Sequence, residues 1–591
     1  MMLQAGIRRL LPLVAFWGYL LLAPCCLWLE AQEGQSNGSA QNATPQNETD
    51  TSLAAAREYF RKGSFDQAIA KYKEALQAGR QPAEAYAGIV RTYLKQEKLQ
   101  EAAETLEKGL QAQPADSSLK EAQAELLFRQ GKIPDAEKIL VQVVNAGGAP
   151  ARAYLWLAQI STATGLYARA HRLILRAHDL DPSDPDVQKE WMGTLPRRDR
   201  VKFLESYIGE THGDDADTQR GLREYLEMLK ARQNSPAANC RLVSEVTETE
   251  TELLPLLTDA RHMRGMGLPV VVNGQKSKLL LDTGAGGITI NRRLAARAGI
   301  QRLTEVEIGG IGDKGPARGY AARADSIRIG KLEFRNCLLY VVDKGSVADE
   351  EGLIGADVFQ QFLVNLDFPK RKLNLSPLPL RPGEPPVKPS LEADDDEASS
   401  ESDPKAVGND AKAASPAPAP KYFDRFIGPE MKGYSGVLRF GHMLLVPTKI
   451  NEVTGKLFLI DSGAFNNTIA PDAAREVTGV HGRSELIVKG ISGAVNKVYD
   501  TGEVVLQFGG LRQKNLDMVA FDLSHISRSA GTEVSGLLGF PVLNAMSLKI
   551  NYRDALVKFE YVPQAEMHYR RLDGTQNIET SRRLFPESQN R

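Results

Sequence analysis

The 591-residue sequence predicts a multidomain chain, an all-α stack of repeated helical hairpins followed by two copies of one all-β domain. Three observations lead there. The segments GSFDQA (63–68), EKLQEA (97–102), GKIPDA (131–136) and GLYARA (165–170) end in alanines spaced 34 residues apart. From about residue 241 the chain changes to short β-rich runs separated by glycine turns. The stretch LLLDTGAGGITI (279–290) returns as LFLIDSGAFNNTIA (457–470), placing Asp282 and Asp461 in equivalent positions 179 residues apart.

Composition sets the bounds. This length suggests about three or four domains, and 42% hydrophobic with 25% charged residues is ordinary for globular protein. A formal charge of −1 supplies no overall basic field for nucleic acid.

At the N-terminus, Arg8 and Arg9 precede an apolar stretch from Leu10 to Leu29, with polar sequence from Glu30. Residues 1–32 therefore read as a signal peptide or signal anchor, since an apolar run of about 20 residues is long for a signal core and just sufficient to cross a bilayer. Either way the rest of the chain is expected to be extracytoplasmic. Pro24 in front of Cys25 argues against a lipid-attachment site there. Residues 33–51 are a polar spacer carrying Asn-x-Ser/Thr triplets at Asn37, Asn42 and Asn47. Beyond the leader only Cys240 and Cys337 remain. They are expected as buried or spare thiols, with a disulfide as the alternative outside the cytoplasm.

In residues 52–184 the alanines Ala68, Ala102, Ala136 and Ala170 are each followed four residues later by Tyr72, Leu106, Leu140 and Ile174, the next apolar position on the same helical face. Small alanines let two helices approach closely, and glycine serves the turn between them. Over these four units the chain resembles the tetratricopeptide repeat, with Glu97 replacing a turn glycine and Gly148 standing where proline is usual. The resemblance implies a groove that recruits a protein partner or substrate; a plain spacer is the alternative. Residues 185–240, with the amphipathic stretches RVKFLESYI and LREYLEMLKA, are expected to cap the stack as a helical connector.

The β-rich part reads as domain 1 (241–378), a disordered linker (379–420) and domain 2 (421–565), then a tail (566–591). The 179-residue offset also superimposes Gly330 on Gly509, Asn336 on Asn515 and Asp343 on Asp522, so a whole domain is duplicated. Asp343 and Asp522 read as strand-end turn residues. Both copies close alike, with GLIGADVFQQFLVNLDF (352–368) and GLLGFPVLNAMSLKINY (536–552). Gly310, Gly312 and Gly315 spell G-x-G-x-x-G, but Pro316 and a strand follow where a dinucleotide fingerprint needs a helix, so these glycines mark a hairpin tip. The linker holds DDDEASSESD and SPAPAP, and its acidic run from Asp394 to Glu397 reads as a solvated charge block.

Two carboxylates held about 3 Å apart cannot both ionise. The charged one takes a proton from water while the protonated one hydrogen-bonds a carbonyl, with no metal or covalent intermediate. Thr283 and Ser462 suit such a pair by bonding across the junction, and Gly284 and Gly463 let the two backbones approach. At these residues each copy resembles a retroviral-type (retropepsin-like) aspartic protease domain, over about 260–378 and 436–562. Asp-Thr/Ser-Gly-Ala is followed by a glycine-rich flap and then by the signatures Leu353-Ile354-Gly355 and Leu537-Leu538-Gly539. The resemblance implies a pepsin-like pseudo-dimer with Asp282 and Asp461 as the catalytic dyad and no cofactor or metal. Its flaps would be 309–316 (Gly309, Gly310, Ile311, Gly312) and 489–494 (Gly490, Ile491, Ser492, Gly493). The function expected is an exported aspartic-type endopeptidase acting on a peptide or protein substrate. The alternative is an inactive peptide-binding scaffold, and the dyad could form within one chain or between two. No H-E-x-x-H or G-x-S-x-G motif supports another hydrolase class.

Overall fold

The computed structural model describes residues 46–79, 81–210, 212–233, 240–259, 262–343, 350–385, 389–391, 422–482, 487–562 and 584–586. The expected leader, the triplets at Asn37 and Asn42, and the acidic run 394–397 lie outside them. No helix among the described residues is long and apolar enough to cross a membrane.

Helices pair as Gln46–Arg61 with Phe65–Gln77, Pro82–Lys95 with Leu99–Ala112, Ser117–Arg129 with Ile133–Asn145, and Ala151–Ala163 with Tyr167–Leu180. The first helix starts at Gln46, inside the stretch expected to be spacer. The repeat alanines are buried because each faces the partner helix of its hairpin, and Tyr72, Leu106, Leu140 and Ile174 are buried beside them. Turn residues Gly63, Gly131 and Gly165 adopt φ of 72°, 76° and 77°, the left-handed region a glycine enters freely. Glu97 takes the same conformation at φ 59°, so the turn is imposed by the packing of its two helices even without glycine.

Three further helices, Pro185–Met192, Arg197–Gly209 and Ala216–Gln233, continue the stack. The last lies against the strand Gln301–Ile308 of the first β domain, where Arg220 pairs with Glu307 at 3.0 Å and Glu224 accepts the Glu307 amide at 3.1 Å.

Each β domain has its own sheet, and a third sheet belongs to both. Strands Phe362–Asp367 and Lys372–Pro377 of the first copy join Met546–Asn551 and Leu556–Tyr561 of the second, with Val364 opposite Ile550 and Leu366 opposite Leu548. Together with two flanking strands they form a six-stranded sheet that ties the copies into one pseudo-dimeric body.

Two expectations need correction. Cys240 and Cys337 form a disulfide; Cys240 directly precedes strand Arg241–Leu242, which runs antiparallel to Leu332–Val342 with Arg241 opposite Arg335 and so brings the sulfurs together. The linker does not begin at 379, because Arg381, Ser390 and Leu391 are buried and Arg381 pairs with the buried Asp554 at 2.8 Å. Of the expected tail, 584–586 form a strand beside Leu511–Asn515.

The helical stack is not a free arm. Phe128, Ile133, Leu140 and Trp156 share one apolar cluster with Met443, Leu445, Leu457 and Phe521 of the second copy. Thr532 donates to the Phe128 carbonyl at 2.6 Å, and the Glu533 amide donates to the Arg129 carbonyl at 2.9 Å. A cavity made in that cluster from the β side should therefore be felt by the helices. Leu457→Ala is expected to cost about 2–4 kcal/mol and to lower the urea midpoint of tryptophan fluorescence, which among the described residues comes only from Trp156 and Trp191 in the stack. An unchanged fluorescence midpoint would show that the two parts unfold independently.

Candidate active site

In each copy one strand delivers an Asp at its C-terminal end: Gln275–Asp282 and Val453–Asp461. The closing signature runs parallel beside it, with Gly355 opposite Asp282 and Gly539 opposite Asp461. Leu353, Ile354, Leu537 and Leu538 are buried, which fixes the signature strand at the edge of the Asp strand. Its glycine has a steric reason. A Cβ at Gly355 would collide with the Ala285 carbonyl and the Asp357 carboxylate, and one at Gly539 with the backbone of Asn466.

The structure brings Asp282 and Asp461 together. Thr283 N donates to Ser462 Oγ at 3.0 Å, and Ser462 N donates to Thr283 Oγ1 at 2.9 Å. Each hydroxyl then donates onward, Thr283 to the Ile460 carbonyl and Ser462 to the Leu281 carbonyl, both at 2.9 Å. Both residues are buried. Gly284 packs against the Asp461 carboxylate and Gly463 against that of Asp282, so close that a Cβ at either would overlap it. Gly284 N donates to Asp282 Oδ1 at 2.9 Å, while Gly463 N and Ala464 N donate to Asp461 Oδ1 at 3.0 and 2.8 Å.

The two carboxyls lie side by side, each against the glycine of the opposite loop. Burial pushes both above the usual carboxylate range, and the neighbouring Asp282 charge drives Asp461 further up. The pair therefore holds a proton to higher pH than a lone Asp would.

Ile311 and Ile491 exchange sides over the dyad: Ile491 packs on the first copy's cluster with Leu280 and Leu353, and Ile311 on the second copy's. The tips are laced together. Gly310 N donates to Ser492 Oγ at 3.2 Å, Ser492 N to the Ile311 carbonyl at 3.1 Å, and Lys314 N to the Ser492 carbonyl at 2.8 Å. Gly312 and Gly493, at φ 129° and 100°, allow the two backbones to cross, and Gly490 lies against Ile311. Gly309 has open space beside it.

Several residues at the site were not singled out from sequence. Asp357 accepts the Gly287 amide at 3.0 Å and pins the loop after Asp282; its equivalent in the second copy is Pro541. There Asn467 does the corresponding work, accepting the Gly539 amide at 3.0 Å. His442, from the second copy, packs on Gly286. The break in the duplication at Asp357 and Pro541 was a visible signal, whereas the His442 contact exists only once the copies are docked. Asp343 pairs with Arg292 at 2.7 Å, and Asp522 accepts the Ser524 amide at 2.8 Å; both sit at strand ends. Among the described residues no group of three or more His, Cys, Asp or Glu is placed to share a metal ion.

Two expectations can be measured on the folded chain. Thr283→Val strands the Ser462 amide and the Ile460 carbonyl, and should cost about 1–3 kcal/mol by urea titration. The second concerns pH. An unfolded Asp titrates near about 3.9, while the folded Asp461 holds its proton to higher pH. Folded chain then binds more protons than unfolded chain, so stability is lost as pH rises through the folded value. Asp461→Asn should therefore raise Tm at pH 7, the gain closing below about pH 4; equal Tm at pH 7 would contradict the protonation assigned to Asp461.

Comparison with known proteins finds the same order of domains. The aspartyl protease family model matches residues 268–358 and again 446–542, and tetratricopeptide repeat models match 59–126 and 121–185. The chain is similar to DNA damage-inducible protein 1 of Chaetomium globosum, 29% identical over 32% of this chain and 45% of the relative. A similar match, to the protein of the same name from Neurospora crassa, is 29% identical over 30% of this chain and 40% of the relative. The chain thus spans less than half the length of these curated relatives.

Proposed function

We propose that this chain, two retropepsin-like aspartyl protease domains joined behind a tetratricopeptide stack, is an aspartic endopeptidase with its dyad formed inside one chain. The observation that carries it is the paired placement of Asp282 and Asp461, each carboxylate packed on the glycine of the opposite loop and both pushed above the usual carboxylate range by burial. The ionised member of the pair takes a proton from a water lying between the carboxyls. The protonated member donates a hydrogen bond to the scissile carbonyl as negative charge develops there. Closed flaps exclude bulk water, which strengthens both interactions. A pure binding scaffold has no use for two carboxylates that oppose each other's ionisation.

Export is part of the proposal. The Cys240–Cys337 bridge supports it, because such bonds persist in oxidising compartments. The repeats support a role in protein interaction, but not through a wide-open groove. Lys95 reaches Asp186 at 2.6 Å, Arg61 reaches Asp181 at 3.5 Å, and Gly63 meets the backbone of Gly213, so the first repeats close onto the later helices. Between them Arg152 lies among Glu125, Asp184 and Asp186, at 3.2, 2.8 and 3.1 Å.

Peptide-library digestion from acidic to neutral pH tests the assignment. Wild type should cleave, and Asp282→Asn and Asp461→Asn should each lose activity by about a thousandfold or more, since neither half of the dyad acts alone. Full activity in either variant would refute the intrachain dyad.

A further inference from the structure

One part of the helical stack remains open, and it faces the protease. A cavity of about 300 Å3 lies between helices Ser117–Arg129, Ala151–Ala163 and Pro185–Met192 on one side and the second copy on the other. Its aromatic wall is Phe128, Trp156 and Phe440, with ring centroids 5.0 Å apart for Phe128–Trp156 and 6.1 Å for Phe128–Phe440. Arg129, Arg439 and Arg528 also line it, with Asp186 and Glu190.

Two of the three guanidiniums, Arg129 and Arg439, have no carboxylate at ion-pair distance among the described residues. Arg439 donates to the Gly441 and Tyr552 carbonyls and to Gln360 Oε1, all uncharged. Arg129 lies 5.6 Å over the Trp156 ring, reaches the Gly531 carbonyl only at 3.5 Å, and buries Nε with no hydrogen-bond partner among the described residues. Arg528 has Glu97 at 3.4 Å on the surface. The acidic residues of the cavity offset this little. Asp186 is already held by Lys95, Arg152 and Lys189, and burial pushes the Glu190 carboxyl up toward its neutral form. A partly desolvated cavity with excess positive charge favours an anion.

Its position relates it to the cleft. Arg439 and Phe440 belong to strand Leu438–Phe440, and the turn Gly441–His442 leads back into Met443–Ile450. Gly441 lines the cavity, while its neighbour His442 packs on Gly286, four residues beyond Asp282. The cavity wall and the residue that touches the Asp282 loop are thus consecutive, about 3.8 Å of chain apart.

We infer that this cavity is an exosite for the substrate polypeptide itself, receiving an acidic segment with an aromatic side chain that continues from the cleft past His442. The inference deepens the proposed proteolysis and rests on it. Aromatic rings of the segment would pack on Phe128, Trp156 and Phe440, and its carboxylates would engage the guanidiniums. Once the segment is seated, the scissile bond is presented at high effective concentration. This gives the tetratricopeptide stack a recruiting role that its closed first repeats do not supply.

The test pairs a short peptide, cleaved in the library, with the same peptide extended by an acidic, aromatic flank on either side. For wild type, kcat/KM should favour one extended form by on the order of tenfold, and Arg528→Glu, an exposed position, should erase that preference. A preference unchanged in Arg528→Glu, or absent in wild type, overturns the inference. A labelled flank peptide without the cleavage site gives a readout that needs no catalysis. Fluorescence anisotropy should show it binding to full-length Asp282→Asn protein and more weakly to the Asp282→Asn, Arg528→Glu double variant. If it binds yet does not compete with cleavage of the extended peptide, the cavity serves a separate partner and the exosite assignment fails. If no peptide is cleaved by wild type but the flank peptide binds in this charge-dependent way, the protease assignment fails while the binding site stands.

Discussion

Everything at the site depends on four buried hydrogen bonds between Thr283 and Ser462 and the backbone across from each. Two loops that each end in a carboxylate repel one another, and burial sharpens that repulsion. The hydroxyls hold them together by answering, amide for hydroxyl and hydroxyl for carbonyl, the polar groups that the junction would otherwise leave unpaired. Glycines on either side then bring each loop under the other's carboxylate. The dyad is therefore a property of the interface between copies, and neither copy contains a site by itself.

The duplication also explains how the two carboxylates come to differ. Perfect symmetry would give them equal proton affinity. Here the surroundings are unequal: Asp461 is buried, while Asp282 has His442 of the second copy beside its loop. Divergence after duplication can assign acid and base roles that an identical pair shares at random.

Much of this was legible from one sequence because repetition carries its own signal. The 34-residue alanine spacing located the hairpins, and the 179-residue offset paired Asp282 with Asp461 without any structural input. What stayed hidden depends on contacts between segments that share no pattern. Nothing local in Leu457 or Trp156 says that they belong to one core. The bridge of Cys240 to Cys337 depends on which strands become neighbours, and composition alone favoured free thiols. Arg381 looked like linker because its neighbours are proline and glycine; its partner Asp554 lies 173 residues away. Asp357 was readable in principle, as the polar residue that breaks an otherwise regular duplication.

The shared six-stranded sheet has a consequence for how the protein is made. Strands Phe362–Asp367 and Lys372–Pro377 leave the ribosome well before Met546–Asn551, the strand that covers their edge. Until then the first copy carries an exposed, apolar β edge, a template for pairing with another chain. Its completion is a long-range event, slow relative to the local helical hairpins that precede it. By then the helical stack has already been synthesised and offers Phe128, Leu140 and Trp156 as a nucleus on which the second copy can condense. The order of domains along the chain thus places the fastest-folding part first and gives the last-made domain a template. The middle domain waits longest, and is where a chaperone would have most to protect.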